Sequence, residues 1–220
     1  MSYHASRFTF DARREVLWRT LCEAYFQKLV PAEGCVLELG AGYGHFINNI
    51  RAKRRMAVEV WPGVVEHIRP PVDVHVGSVT ELGWLADGSV DFVFASNLFE
   101  HLERAEFVAV LEQLKRKLAA GGTLNILQPN YRYAYKEYFD DYTHVAVYSA
   151  DGLCDLLTAN GYEVMECRPR FLPLTVKSRL PVSAALIRLY LALPVKPMGK
   201  QMLVRARARP DAAGVAGGRL

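Results

Sequence analysis

Residues 35–46, CVLELGAGYGHF, place one acid before three alternate glycines, directly after an apolar run of β-prone residues. Glu38 precedes Gly40, Gly42 and Gly44, and apolar residues then resume at helical spacing. Glycines allow a sharp turn with no Cβ in the way, and the turn leaves backbone N–H groups unpaired at the start of a helix. The pattern therefore predicts a strand, a turn that a small ligand can approach closely, and a helix.

Two ligand classes bind at turns of this kind, dinucleotides and S-adenosylmethionine. A dinucleotide site favours the spacing G-x-G-x-x-G, but the third glycine of that spacing is His45 here. Glu38 would repel a pyrophosphate at the turn, whereas it suits a ligand that carries an ammonium and a sulfonium. The charge favours S-adenosylmethionine, and a nicotinamide-dependent oxidoreductase is the less favoured class of enzyme.

The segment 128–149, QPNYRYAYKEYFDDYTHVAVYS, interleaves six tyrosines with charged residues. Aromatic rings with polar tips suit a sugar, a phenol or an extended conjugated molecule. Because the segment follows the fifth predicted strand, it should lie over the edge of the sheet where a substrate meets the ligand. We expect substrate contacts from Tyr131, Tyr133, Tyr138 and Asp141, with packing of the rings onto the core as the alternative.

Histidine is the natural side chain to remove a hydroxyl proton near neutral pH. His144 has the best context, because aromatic residues surround it in the sequence and the carboxylates of Asp140 and Asp141 lie nearby. His101, in SNLFEHL, is the second candidate, although Glu100 and His101 could simply cap the helix that follows. Cysteine and histidine show no metal-ligand spacing, so we expect no metal site.

Strand and helix patterns alternate along the chain. Helical periodicity covers residues 11–29 with Asp11 as a cap, the stretch from the glycine turn to about Ala52, Glu103 to Leu118, and the segment SADGLCDLLTAN. Strand patterns lie in CVLEL, RMAVEV, VDVHV, residues 88–96, TLNILQP, GYEVMEC and KQMLVRARA. This alternation predicts an α/β fold with a doubly wound, seven-stranded, mostly parallel sheet, an N-terminal helix, and ligands at the carboxyl ends of the strands.

The motif VLELGAGYG resembles the first motif of class I S-adenosylmethionine-dependent methyltransferases, and the likeness extends over residues 35 to about 128. Glu59, nineteen residues after Gly40, matches the acid that ends the family's second strand. At the adenine position this chain has Ser78, where an aspartate is commoner. The resemblance implies a Rossmann-like fold with S-adenosylmethionine as cofactor. It also implies which residues contact the cofactor: Glu38, Gly40, Gly42 and Gly44 at the methionine end, Glu59 at the ribose, Ser78 and Val79 at the adenine, and Asn97 beneath the methionine.

The resemblance implies a methyltransferase that acts on a small molecule or on a carrier- or glycan-linked acceptor. Segments such as QPNYRYAY and DDYTHV are similar to bacterial class I methyltransferases often associated with the biosynthesis of cell-surface glycans or with other secondary biosynthesis. We expect methyl transfer to oxygen, with His144 as the base. The alternatives are methylation at carbon or nitrogen, as in quinone-type enzymes, and a non-catalytic methyltransferase-like protein that binds membrane surfaces.

Residues 168–200 form an expected insertion before the last strand, within a single domain that spans residues 1–206. The insertion contains an apolar helix from Val182 to Leu193, flanked by Lys177, Arg179 and Lys196. This helix is too short to cross a bilayer, which needs about 20 apolar residues. It could serve as a lid, as a homodimer surface, or as an interfacial helix that touches a lipid-linked acceptor or a membrane through residues 181–193. The alternative is a helix that only packs onto the core. Residues 207–220 are expected to form a disordered tail.

The overall composition is that of a cytoplasmic globular protein, and peripheral contact with the inner membrane is the further expectation. The chain has 220 residues and a net charge of +4, with no cluster of basic residues that predicts nucleic-acid binding. The four cysteines are scattered and are expected to be reduced thiols. Neither a secretory signal nor a membrane-spanning segment is expected.

Overall fold

Seven strands form a sheet in the part of the chain that the computed structural model describes, residues 11–174 and 182–210. The strands in chain order are β1 (Cys35–Leu39), β2 (Arg54–Glu59), β3 (Asp73–Val76), β4 (Val90–Ser96), β5 (Leu118–Pro129), β6 (Tyr162–Leu172) and β7 (Gln201–Ala208). Their spatial order is β3-β2-β1-β4-β5-β7-β6. Strands β1 to β5 pair in parallel, and β7 runs antiparallel to both β5 and β6. The predicted Rossmann-like, mostly parallel sheet is therefore confirmed.

Five helices accompany the strands within the described ranges. They are α1 (Ala12–Ala24), α2 (Arg104–Lys117), the short α3 (Tyr131–Ala134), α4 (Ala150–Ala159) and α5 (Ala184–Ala192). Side chains at their starts accept hydrogen bonds from backbone N–H groups that have no partner within the helix. Asp11 accepts from Arg13 before α1, and Ser149 accepts from Gly152 before α4. The predicted N-terminal helix with its Asp11 cap is confirmed.

The helix expected between the glycine turn and Ala52 is wrong, since the described residues between β1 and β2 include no helix. Residues 42–49 form consecutive turns instead, with isolated helical hydrogen bonds from Asn48 N–H to Gly44 O (3.0 Å) and from Ile50 N–H to Phe46 O (3.1 Å). The backbone of Gly42 and Gly44 is left-handed, with φ of 52° and 66°. A right-handed helix cannot run through left-handed residues, so only short turns fit before β2.

Both faces of the sheet are covered, which explains why β1 is buried along its whole length. Successive side chains of a strand point to opposite faces. Leu37 packs in the same buried cluster as Leu111 of α2 on one face. Val36 packs with Phe26 and Phe94 in a second cluster on the other face. The strands therefore form a rigid layer whose carboxyl ends hold the loops that carry the candidate site residues.

The last part of the fold departs from two expected boundaries. Strand β6 continues to Leu172, so the connection to β7 covers residues 173–200 rather than 168–200. Residues 207 and 208, expected in a disordered tail, pair in β7. Lys177, Arg179 and residues 211–220 lie outside the described residues. The predicted helix of the connection is present as α5, although it is shorter than the expected range. None of the helices in the two described ranges combines the length and the apolarity that crossing a membrane requires.

Candidate active site

The carboxyl ends of β1 and β4 meet where the strand order of the sheet reverses. Loops that leave neighbouring strands at such a point diverge and leave a crevice for a ligand. Gly40 begins the turn after β1 with φ of 66°, and its N–H donates to Val58 O at 2.9 Å. A Cβ built on Gly40 would lie 2.9 Å from Cδ1 of Leu98, in the loop after β4. The glycine therefore allows the two loops to approach each other closely.

Glu38 lies behind the turn rather than on its surface. Its side chain is buried, and Oε2 accepts a hydrogen bond from Ile47 N–H at 2.9 Å. Burial raises the pKa of Glu38 well above its ordinary value, and the nearby Glu59 carboxylate raises it further. A carboxyl held in this way gains stabilisation when a positive charge arrives.

Glu59, the last residue of β2, is buried on the other side of the same turn. Its Oε2 accepts a hydrogen bond from Gly42 N–H at 2.9 Å, and Oε1 accepts one from Trp61 N–H at 3.0 Å. An ionised carboxylate has about four acceptor positions and can accept from several donors at once. The structure thus places both predicted carboxylates at the glycine turn.

The other residues expected to contact the cofactor lie at the carboxyl ends of β3 and β4. Ser78 Oγ lies 2.7 Å from Thr80 Oγ1 and accepts from Thr80 N–H at 3.1 Å. Val79 is buried in the core. Asn97 directly follows β4 with a left-handed backbone (φ 49°), and its Oδ1 accepts from Gln201 Nε2 at 2.7 Å. These residues therefore line one edge of the sheet, as the predicted topology requires.

His101 and His144 lie together although they come from different loops. Their ring centroids are 4.8 Å apart, with the rings inclined at 61°. His101 ends a short 3-10 helix after β4, and its Nδ1 lies 3.2 Å from Thr143 O. Nδ1 of His144 lies 2.6 Å from Tyr138 O. The structure therefore brings both histidine candidates to one place, each held by a backbone carbonyl.

Asp141, one of the two aspartates expected to orient His144, is held by Thr143 and interacts electrostatically with both histidines. Asp141 Oδ1 accepts from Thr143 Oγ1 at 2.7 Å and from Thr143 N–H at 3.1 Å. Thr143 Oγ1 in turn lies 2.9 Å from Nδ1 of His101. Asp141 thus acts on His101 through Thr143, and the carbonyl of Tyr138 is the group that contacts Nδ1 of His144. Burial lowers the pKa of His101, and the neighbouring His144 lowers it further.

Glu100 lies at the candidate site, although the sequence pattern did not predict it there. The alternative in which Glu100 caps α2 is wrong, because that helix is capped by a reciprocal pair of hydrogen bonds between Glu103 and Glu106. Glu100 is completely buried beside the two histidines. Burial raises the pKa of Glu100 to about 8, and the charge of Asp141 adds to the effect. The available signal was an acid within an otherwise apolar stretch, LFEHL.

The tyrosines predicted to meet the substrate divide into two groups. Tyr138 is only 1% exposed, and its hydroxyl donates to Ala146 O at 2.6 Å. It therefore packs beneath the surface, as in the alternative interpretation, and offers no free hydroxyl. Tyr131 packs edge-on against Tyr138 and is half-buried. Tyr133 is also half-buried, with the Arg170 guanidinium 4.9 Å from its ring centroid.

Comparisons with known proteins were made for both sequence and fold. The family described as methyltransferase domain has a model that matches residues 10–166. The fold is similar to a SAM-dependent methyltransferase from Archaeoglobus fulgidus, with TM-score 0.66, 20% identity, and coverage of 88% of this chain and 93% of that chain. It is also similar to a SAM-dependent methyltransferase from Thermotoga maritima, with TM-score 0.61, 20% identity, and coverage of 89% and 91%. No curated protein sequence matches the chain significantly.

Proposed function

The chain belongs to the methyltransferase domain family and is an S-adenosylmethionine-dependent methyltransferase, and on that premise we propose that it methylates a hydroxyl oxygen. The acceptor that we propose is a small molecule that bears a hydroxyl group, or a hydroxyl group on a carrier-linked molecule or a glycan. The observation that carries this proposal is the close pair of His101 and His144 at the carboxyl edge of the sheet. A hydroxyl must lose its proton when it is methylated, and paired imidazoles can receive that proton.

The buried carboxylates at the glycine turn fit the cofactor. Its ammonium and sulfonium would stabilise the ionised form of Glu38, whose charge is otherwise unfavourable in the buried site. We propose that Gly40, Gly42 and Gly44 let the methionine part approach the backbone, and that Glu59 accepts the ribose hydroxyls. Ser78 and Val79 would flank the adenine, and Asn97 would lie beneath the methionine.

The side chains near the histidines would orient the acceptor. The bound sulfonium supplies a methyl group that is already reactive, so the protein chiefly aligns the acceptor oxygen and removes its proton. We propose that His144 receives the proton and that His101 positions the His144 ring. Tyr131, Tyr133 and Asp141 would contact the acceptor, while the buried Tyr138 supports His144 through its carbonyl.

A comparison of two histidine variants tests the proposal. We expect His144→Ala to lower turnover by about 10²- to 10⁴-fold, the usual contribution of a positioned base, and to leave cofactor affinity unchanged. His75→Ala is the matched control, because His75 lies on β3 and stacks on Trp84 at 4.4 Å between centroids. Turnover is followed as release of S-adenosylhomocysteine over a panel of hydroxylated acceptors, and affinity by calorimetry with S-adenosylmethionine.

The position of the new methyl group decides between the proposal and its alternatives. An O-methyl product, identified by mass spectrometry and NMR, supports it. A product methylated at carbon or nitrogen, or full turnover by the His144→Ala protein, would contradict it. Cofactor binding with no transfer to any class of acceptor would favour the non-catalytic alternative.

A further inference from the structure

Glu100, His101 and His144 bring one carboxylate oxygen and one nitrogen of each imidazole to within 4.8 Å of one another. The two segments that carry them are joined by backbone hydrogen bonds. Val145 N–H and Ala146 N–H donate to Glu100 O at 2.9 and 3.1 Å. The three side chains are therefore held together by the fold, even though His144 is distant from the other two in the sequence.

Glu100 is a buried carboxyl group that a neighbouring cation could stabilise. Its side chain is completely buried, and neither oxygen has a hydrogen-bond partner in residues 11–174 and 182–210. A buried carboxyl with no partner is costly, and ionisation raises the cost unless a cation lies beside it. Asp141 adds negative charge nearby, as its influence on the pKa of Glu100 shows. Either a proton or a metal cation can satisfy this group.

The orientation of the histidines favours a metal cation. Nδ1 of His101 contacts Thr143 O, and Nδ1 of His144 contacts Tyr138 O. A carbonyl oxygen can only accept, so a neutral ring that makes this contact carries its proton on Nδ1 and its lone pair on Nε2. Histidines that bind metals are commonly oriented in this way, with the second nitrogen donating to a carbonyl or carboxylate.

We propose that Glu100, His101 and His144 bind a divalent transition-metal ion, with Zn²⁺ as the best match. Two imidazoles and one carboxylate form a common zinc donor set that leaves a coordination position open. Zinc bonds of about 2.0–2.2 Å place tetrahedral ligand atoms about 3.4 Å apart. The three atoms lie within 4.8 Å of one another, so they would draw together by up to about 1.4 Å on binding, within reach of side-chain rotation.

Metal binding would change the role of His144 in methyl transfer. A nitrogen that binds the ion cannot accept a proton at the same time. The ion would make the acceptor hydroxyl more acidic by withdrawing charge from its oxygen, and the proton would leave to solvent. The metal site would therefore replace the role as base proposed above for His144. It does not depend on the proposed function, because the ion can bind before any cofactor or acceptor is present.

A titration with Zn²⁺ alone tests the site. The full chain is prepared without a polyhistidine tag, treated with EDTA, and titrated in a calorimeter with neither cofactor nor acceptor. We expect one equivalent to bind, and Glu100→Gln and His144→Gln to weaken affinity at least tenfold. His75→Gln and Cys167→Ser are the controls, the second because Cys167 interacts with Cys154 and a thiol pair can also bind zinc.

Co²⁺ provides a second measurement, because tetrahedral coordination gives visible absorption bands that Glu100→Gln and His144→Gln should abolish. Circular dichroism verifies the fold of each variant. If Glu100→Gln fails to fold, His144→Gln still tests the site, because His144 is only half-buried. Absence of Zn²⁺ binding by the wild-type chain, or affinity that neither variant changes, would overturn the proposal. Methyl transfer is assayed separately, so its failure remains distinct from failure of the metal site.

Discussion

Glu38 and Glu59 are buried carboxylates that hold the same glycine turn from two neighbouring strands. Glu38 accepts from Ile47 N–H and Glu59 accepts from Gly42 N–H, each at 2.9 Å. Each bond stabilises the turn, but burial and the nearby Glu59 carboxylate disfavour the ionised form of Glu38 and raise its pKa. The turn is therefore shaped in advance for a cation, at some expense to the stability of the ligand-free protein.

Replacement of Glu38 by glutamine should stabilise the ligand-free protein at pH 8. The pKa of Glu38 is higher in the folded than in the unfolded state, so the folded protein loses stability as the pH rises through that raised pKa. Glutamine never ionises, and its amide oxygen can still accept from Ile47 N–H. We expect a higher Tm for Glu38→Gln at pH 8, where 1 kcal/mol corresponds to about 2–4 °C for a domain of this size.

The difference in Tm should shrink as the pH falls, because the wild-type carboxyl then becomes protonated and resembles the amide. Glu33→Gln is the control, since Glu33 is exposed and forms only a long, 3.8 Å ion pair with Lys53 among the described residues. A Tm difference that is independent of pH would show that Glu38 does not ionise unfavourably in the folded state. Calorimetry should also show weaker S-adenosylmethionine binding by Glu38→Gln.

Loss of the Glu59 carboxylate should weaken cofactor binding. We expect Glu59→Ala to cost about 1–3 kcal/mol of binding free energy, because the ribose hydroxyls lose their charged acceptor. The dissociation constant from calorimetry would then rise by about 5- to 150-fold.

A second substitution separates this effect from damage to the turn. Glu59→Gln keeps an acceptor oxygen for Gly42 N–H, so the turn should be retained while the charge is lost. Equal cofactor affinity in wild type and both variants would refute the assignment of Glu59 to the ribose.

An alanine at Gly40 should destabilise the protein by about 1–2 kcal/mol through backbone strain alone. Gly40 has φ of 66°, and its Cβ would lie 2.9 Å from Leu98 Cδ1. Gly83→Ala is the matched control, because a Cβ there meets nothing within 4 Å. Urea denaturation should show a loss for Gly40→Ala and little change for Gly83→Ala. Equal stability of the two variants would mean that the turn is not constrained as described.

The sequence predicts the sheet and the glycine turn because those features follow from local rules. Alternate glycines after an apolar strand allow few structures, and Glu59 lies at the turn because β1 and β2 are parallel neighbours. The meeting of Glu100 with His144 could not be predicted, since it depends on how two loops pack. The burial of Tyr138 also depends on that packing. The turns at residues 42–49 stand where the sequence predicted a helix. The helical spacing of the apolar residues does not reveal that Gly42 and Gly44 are left-handed.

The outer face of α5 should bind anionic membranes. Ile187, Tyr190 and Leu191 pack against the core, whereas Leu186 and Leu189 are 46% and 60% exposed. The chain carries a net charge of +4, so an anionic surface is the favoured partner for an apolar face of this kind. We expect the full chain to float with vesicles that contain phosphatidylglycerol, and Leu186→Glu/Leu189→Glu to reduce the bound fraction severalfold.

The control for α5 is Val76→Glu/Met165→Glu, which adds the same charge at exposed apolar positions on β3 and β6. If charge alone governed flotation, both double variants would lose binding equally, and the assignment to α5 would be wrong. Light scattering tests the other expected use of this face. A concentration-dependent dimer that only Leu186→Glu/Leu189→Glu disrupts, together with no flotation of the wild type, would identify a homodimer surface. Flotation that requires Leu186 and Leu189 but is equally strong with vesicles that lack anionic lipid would show that apolar burial, rather than charge, dominates the contact.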